Sequence, residues 1–300
     1  MAREQHGGDS GGTELGHFLR ARRGRVRPED VGLPAGAGPR RTPGLRREEL
    51  ATLAGISIDY YARLERGKET HPSPSVVDAL ARVLRLDEAE RRHLRGLVAG
   101  AERQTREATA PPSRSLPPGV DLLLESMRPH PVYVVSRTFD LLAANPGALR
   151  LFVGIEDEPA ERRNLARYVF LHPVAREVMA DREAVLRSPV AWLRQLAGME
   201  PNAPDLTALV DELLHASTEF AELWERYDVQ GSARGQRTFH HPDVGDLTLG
   251  FQGMALSGTD GQHLVAFYAE PGSPDHDAMV LLDKAAQQQH GPAPSVPPGH

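Results

Sequence analysis

Residues 46–67 read RREELATLAGISIDYYARLERG, and few folds accept such a string. Leu50, Leu53 and Ala54 place an apolar stripe along one short helix. Gly55 ends it and supplies the backbone angle that a tight turn requires. Ser57 caps a second helix, which turns Tyr61 and Leu64 inward and stops at Gly67. Small Ala51 lets the two helices approach, and Ile56 joins the inward set. Left outward are Ile58, Asp59, Tyr60 and Arg63. A short helix pair with polar tips on the outer face of its second member is the arrangement that major-groove reading requires. An ordinary helical hairpin has the same apolar pattern, so spacing alone leaves both readings open.

Charge favours the first reading. The net charge of −6 hides an asymmetry: residues 1–110 hold 20 basic and 16 acidic side chains, and residues 111–300 hold 15 and 25. From Arg20 to Arg47 nine arginines face two acids, Glu29 and Asp30. Such a local excess attracts a polyanion. Helices flank the pair. Leu15, Phe18 and Leu19 mark a short amphipathic helix over 14–23. Ser73-Pro74 starts another, with Val76, Leu80, Val83 and Leu84 on one face, and Asp87 opens a fifth with Leu94 and Leu97 inward. Five helices can close one small core over residues 13–99.

The rest of the chain mixes types. Residues 131–135 and 139–143 read as strands, as do 237–240, 247–251 and 263–269. Between them 146–153, 159–171, 174–186, 189–198 and 204–226 read as helices. Strands that enclose a run of helices describe an α+β domain over 120–284. The Pro- and Ser-rich stretch 100–119 reads as a linker, and residues 1–12 and 285–300 as disordered tails. The chain has no cysteine, which excludes disulfides, thiolate metal sites and cysteine nucleophiles and fits a reducing cytoplasm. No stretch approaches the ~20 apolar residues of a membrane span.

The string 46–67, together with RTPGLRREELATLAGIS, DYYARLERG and the HPSPSVVDALARVLRL that follows, resembles the helix-turn-helix of the xenobiotic-response-element (Cro/C1-type) transcriptional regulators, in particular their MmyB-like branch. PVYVVSRTFDLLAANPGALRLF, NLARYVFLHP, AWLRQLAG, FHHPDVGDLTL and YAEPGSP extend the resemblance over most of 14–283. It implies an all-α five-helix DNA-binding domain followed by an α+β, PAS-like ligand-binding domain. In the family motif the second helix starts where Arg46 and Arg47 stand here. Many relatives carry Thr-Gln there, with the Gln on phosphate, a contact that Arg47 can make as a cation. The resemblance starts the recognition helix at Ser57, with Ile58, Asp59 and Tyr60 as its exposed early positions and Arg63 one turn on. Arg63 can donate in bidentate fashion to guanine, and Asp59 can accept from cytosine. Asp59 departs from the Gln or Arg often found there. Tyr60 can reach phosphate or a thymine methyl. Residues 24–43 form a longer loop than usual, and its Arg40 and Arg41 can follow phosphates or enter a minor groove.

For the second domain the resemblance implies a pocket for a small apolar, fatty-acid-like molecule. Tyr133, Tyr168, Phe170, Trp192, Phe239, Phe251 and Tyr268 are the candidate lining residues, with Phe139 and Phe267 beside them; each is also an ordinary core residue by type. Asn145 can cap a helix or touch a ligand. His240 and His241 are adjacent on a strand and point to opposite faces, so they do not share a metal ion. No phosphate loop, dinucleotide fingerprint, HExxH or nucleophile elbow is present. The expectation is therefore a non-enzymatic regulator that needs no cofactor, binds operator DNA as a homodimer and senses a small apolar ligand. The alternative is a module whose helical block binds a protein partner, with the second domain a scaffold.

Overall fold

The computed structural model describes residues 13–34, 44–103, 112–200, 202–228 and 233–290. The tail expected at 1–12, residues 291–300 of the tail expected at 285–300, Arg40 and Arg41, and residues 104–111 of the expected linker lie outside them. The chain forms two compact units.

The first unit begins with α1 (Glu14–Arg25), capped by the Thr13 hydroxyl, which accepts from Gly16 N at 3.2 Å. A short 3-10 turn, Pro28–Val31, precedes α2 (Arg47–Ala54), α3 (Ile58–Glu65), α4 (Pro74–Val83) and α5 (Glu88–Arg103). Gly55 closes α2 in the left-handed region at φ 68°, and Ser57 Oγ accepts from Tyr60 N at 3.1 Å to start α3. Both are the sequence signals at work. Leu15, Phe18, Leu19, Leu50, Tyr61, Leu64, Leu80 and Leu94 make one core. α1 and α3 touch backbone to backbone: a Cβ on Gly16 would lie 2.4 Å from the Glu65 carbonyl oxygen.

This core is not completed by the first 110 residues. Residues 191–207 and 223–230 group with the N-terminal helices, and Tyr227 belongs to their core cluster. Its ring lies 5.8 Å from Phe18 and 6.2 Å from His93. Its hydroxyl donates to Glu14 O at 2.8 Å and meets the Glu14 carboxylate. Arg22 donates to Tyr227 O at 2.9 Å and pairs with Glu90 at 2.6 Å. Arg194, 5% exposed, stacks 3.7 Å over Trp224, pairs with Glu14 at 3.1 Å and donates to Trp224 O at 2.6 Å. Tyr227, Arg22 and Arg194 are thus buried with partners, as low-dielectric surroundings require, and Glu14 and Glu90 meet them from partly exposed positions.

The second unit contains α6 (Val120–Ser126), β1 (Val132–Val135), β2 (Leu141–Ala144), α7 (Pro146–Leu151), α8 (Leu165–Leu171), α9 (Pro173–Val178), the start of α10 (Arg182–Met199), most of α11 (Pro204–Ala216), the start of α12 (Thr218–Arg226), β3 (Arg234–His241), β4 (Gly245–Ala255), β5 (His263–Tyr268) and α13 (Pro274–His290). The strands form one antiparallel sheet in the order β2-β1-β5-β4-β3. The expected α+β class is observed. On one face Val132, Val134, Leu264 and Ala266 pack under Val120 and Leu124 of α6. The registers put Tyr133, Phe267, Phe251, Leu249, Arg237 and Phe239 on the other.

Element boundaries shift where side chains or edges intervene. The single helix expected over 204–226 divides at Ser217, whose hydroxyl accepts from Phe220 N at 3.1 Å and caps α12. The helices expected at 174–186 and 189–198 divide earlier instead. Ala180 N donates to Thr238 O at 3.1 Å and Met179 bridges Phe239, so the chain runs extended along the β3 edge before α10 begins. α13 continues to His290, into the stretch expected to be a tail, because Ala285 and Ala286 favour helix and Ala286 is buried. Residues 113–115 lie against the second unit, where Gln262 donates to the carbonyls of Ser113 and Ser115 at 3.2 and 2.9 Å.

His93 gives the first unit an acid limit. The ring is 6% exposed, stands edge-on to Phe18 at 5.1 Å and has Glu14, Arg22 and Arg194 around it. Burial pushes its pKa from 6.5 down to about 4, with Arg22 and Arg194 adding to the fall and Glu14 opposing it. Between those values the unfolded chain binds the extra proton, so stability is full above pH 6.5 and declines as the pH drops toward 4. The loss is expected to reach about 3 kcal/mol for this group. His93→Phe keeps the ring and removes the proton. Urea denaturation followed by circular dichroism should show a weaker pH dependence between 6.5 and 5 in the variant; identical slopes would exclude His93 as the cause.

Candidate nucleic-acid interface and ligand-domain face

The outer face of α3 is built from its buried one. Tyr61, Leu64 and Glu65 are fully buried, while Ile58 is 53% exposed and the Asp59 and Arg63 side chains point to solvent. Arg63 lies 3.7 Å from Asp59 and 5.7 Å from the Tyr60 ring centroid, so its guanidinium rests against its own helix. Both contacts are exposed and weak enough to exchange for a base edge. Tyr60 is half-buried and partly belongs to the core. Ser57 is spent as the cap. Sequence reasoning placed all five on this helix, and the structure brings them together at its N-terminal end and outer side.

Arg46 and Arg47 open α2. Arg46 is exposed, and its backbone N–H donates to Glu49 Oε2 at 2.7 Å, which fixes the helix start. Arg47 Nε donates to Glu65 Oε2 at 2.7 Å, and Arg23 Nε donates to Glu65 Oε1 at 2.6 Å. Arg23 also donates to Leu45 O at 2.7 Å. The fully buried Glu65 carboxylate therefore ties α1, the start of α2 and the end of α3 into one body. Burial opposes its ionisation, but hydrogen bonds from Arg23 and Arg47 hold its pKa below the usual range. Arg23 is one of the nine arginines between Arg20 and Arg47, but no local pattern marks its pairing with Glu65 across 42 residues.

In the second unit the aromatic candidates divide. Tyr133, Tyr168 and Phe239 gather around Phe152, with centroids 5.5, 5.7 and 6.5 Å from it, and Phe267 joins at 6.3 Å. Phe251 meets Phe267 at 6.0 Å. Phe170 stands edge-on to Phe220 at 5.0 Å. Tyr268 follows Phe267 on the strand, so its side chain takes the opposite face and is 49% exposed. Trp192 belongs to the first unit. Neither of these two shares the inward sheet face with the rest. The sequence missed Phe152 because it sits after α7, outside any strand, and missed Phe220 because it lies on α12. Asn145 is a cap: its Oδ1 accepts from Ala148 N at 3.0 Å and Val132 N at 3.1 Å, and its amide donates to His130 O and Leu124 O. Its polar atoms are occupied by the chain itself.

His240 pairs with Asp246 at 2.6 Å on the exposed face. His241 is buried, accepts from Asp243 N and donates through Nε2 to Arg150 O at 3.0 Å. Among the described residues no group of three or more His, Asp or Glu side chains could hold a metal ion, and no helix is long and apolar enough to cross a membrane.

Family comparison matches both parts of the chain. A family model described as the MmyB-like transcription regulator ligand binding domain matches residues 116–282, and one described as a helix-turn-helix domain matches 14–94. The chain belongs to the MmyB-like transcription regulators: a DNA-binding helix-turn-helix domain followed by a ligand-binding domain. The matched families are regulator domains rather than enzymes. The search of curated proteins finds no match.

Removing Glu65 tests what holds the interface in shape. Glu65→Ala leaves the Arg23 guanidinium buried without its partner and is expected to destabilise the first unit by about 3–5 kcal/mol. Arg47→Ala, which removes a partner that is 43% exposed, is expected to change stability by about 0–1 kcal/mol. Denaturant midpoints of the two variants check the contrast.

Proposed function

We propose that the chain is a one-component regulator that reads a two-half-site operator as a homodimer, with its ligand-binding domain taking an elongated apolar small molecule that changes operator affinity. The observation that carries the DNA reading is the solvent-facing edge of α3, where Ile58, Asp59 and Arg63 stand exposed on a fully buried base. Arg63 is the base-reading cation of this proposal. Asp59, Tyr60 and Ile58 complete the readout, and Arg46 and Arg47 at the start of α2 position the phosphate backbone. Arg40 and Arg41 are assigned to the same backbone by their charge alone. Cro/C1-type dimers place half-sites ~10 bp apart, and two half-sites read together bind more tightly than one. The aromatic face formed by Tyr133, Tyr168, Phe239, Phe251, Phe152 and Phe267 supports the apolar ligand, and the regulator needs no cofactor for either step.

Arg63→Ala is expected to lose ~1–3 kcal/mol of discrimination between operator and scrambled DNA and to keep most of its non-specific affinity. Operators selected from a random duplex pool supply the substrate, and equal losses on both duplexes would move Arg63 into the phosphate class. Sensing has its own signature. A ligand shifts an equilibrium only by its differential affinity for two states. Medium- or long-chain fatty acids are expected to change operator affinity about 5- to 150-fold, with operator changing fatty-acid affinity by the same factor. Paired titrations with and without operator measure both; saturable binding with identical constants would remove the switch.

A further inference from the structure

Tyr227 follows α12 with its backbone in the left-handed region at φ 56°, a conformation that bulky side chains rarely adopt. Local strain of this kind persists only where the surroundings hold the residue in place. Tyr227 is 2% exposed, and four residues of α1 receive it and its neighbours. Glu14 accepts from the Tyr227 hydroxyl, through its backbone oxygen at 2.8 Å and through its carboxylate. Phe18 meets the ring at 5.8 Å, and Arg22 donates to the Tyr227 carbonyl at 2.9 Å. Arg25 donates to the Arg226 carbonyl and, at 2.8 Å, to Asp228. Arg194 lies 4.1 Å over the Tyr227 ring. All of these residues belong to the first unit.

Glu14, Phe18, Arg22 and Arg25 are spaced by four, four and three residues, so they form one stripe along α1. Gly16 and Arg23 are seven apart and lie on the opposite side of the same helix. That opposite side faces α3. A Cβ on Gly16 would meet the Glu65 carbonyl oxygen at 2.4 Å, and Arg23 donates to both Glu65 carboxylate oxygens, at 2.6 and 3.4 Å. At the start of α1, Thr13 closes on Gly67, just past α3, where an added Cβ would lie 2.7 Å from the Thr13 methyl. α1 is therefore held between the Tyr227 segment on one side and the recognition helix on the other.

The two contacts differ in what they can fix. Glu65 ties α3 to α1, but the tilt of α1 depends on what lies behind it. The side chains assigned to readout, Ile58, Asp59 and Arg63, stand on the exposed side of the helix that Glu65 ends. We propose that Tyr227 is a positioning residue for DNA readout: seated behind α1, it sets the tilt of that helix and, through Gly16, Arg23 and Glu65, the orientation in which α3 presents Ile58, Asp59 and Arg63. Tyr227 lies far outside residues 14–94, which match the helix-turn-helix family, so part of what aims the reader comes from elsewhere in the chain. Base contacts need fixed donor and acceptor geometry, whereas attraction to phosphates depends mainly on charge. A tilted α3 thus loses operator recognition and keeps non-specific binding. The inference rests on the α3 reading above and adds to it a residue that does not itself meet DNA.

Full-length protein titrated with an operator selected from a random duplex pool, and with a scrambled duplex of the same length, tests it; circular dichroism confirms that each variant is folded. Tyr227→Ala is expected to weaken operator binding about ten- to a hundredfold and to leave scrambled DNA within about threefold. Tyr227→Phe keeps the ring behind α1 and should stay within about fivefold of wild type on the operator. A merely structural role gives another result, because a smaller folded fraction weakens both duplexes in the same proportion. Equal losses on both duplexes, or wild-type discrimination in folded Tyr227→Ala, would overturn the assignment. Should Tyr227→Ala not fold, Asp228→Asn decides. It releases Arg25 from the segment beside Tyr227 and removes an acid, which by charge alone strengthens binding to any duplex. Operator binding weakened about two- to fivefold, with scrambled DNA held as well or better, supports the positioning role; equal or tighter binding to both overturns it. Wild-type protein that does not distinguish the two duplexes would remove the α3 reading and this inference together.

Discussion

A carboxylate with no solvent contact organises the DNA-binding unit. Glu65 closes the recognition helix, and its two oxygens are taken by Arg23 from α1 and Arg47 from α2. The backbone of the same residue lies so close to α1 that only glycine fits at position 16. Three helices are therefore fixed by one side chain and one glycine. A buried ion set of this kind adds less net stability than an apolar packing would, but it tolerates no missing partner. That intolerance suits the proposed interface, in which Ile58, Asp59 and Arg63 are presented at fixed spacing on the exposed side of the same helix.

The unit is completed from far along the chain. Tyr227 enters the aromatic cluster of Phe18 and His93, and Arg194 lies between Trp224 and Glu14. Both residues fall within the stretch that matches the ligand-binding family, yet they pack with the N-terminal helices. The DNA reader and the sensor are thus not separable at the proline-rich segment around residue 111. α10 contributes residues to both units, so the coupling proposed above has a covalently continuous element to act through.

The sheet domain shows the same division between pattern and contact. Period-two alternation located all five strands, while the pairing registers put Tyr133, Phe239 and Phe251 on one side. It was equally able to show that Tyr268, next to Phe267, faces the other way, and that Arg237 shares the parity of Phe239. Phe152 has no periodic signal because it follows a short helix, whereas Phe220 shares the helical spacing of Leu213 and Leu223, which marks it as core and not as a partner of Phe170.

What the amino-acid sequence determines by itself is local. The glycine turn at Gly55, the Ser57 cap, the exposed set Ile58, Asp59 and Arg63, the five N-terminal helices and the strand alternation all follow from the geometry of single elements with periods of 3.6 and 2. Tertiary structure alone decides which distant groups meet. Glu65 with Arg23, and Tyr227 with Glu14 and Phe18, are separated by tens to hundreds of residues. A pair of that kind leaves no period in the sequence, because its energy comes from burial and charge in a shared low-dielectric site that exists only once the chain has folded.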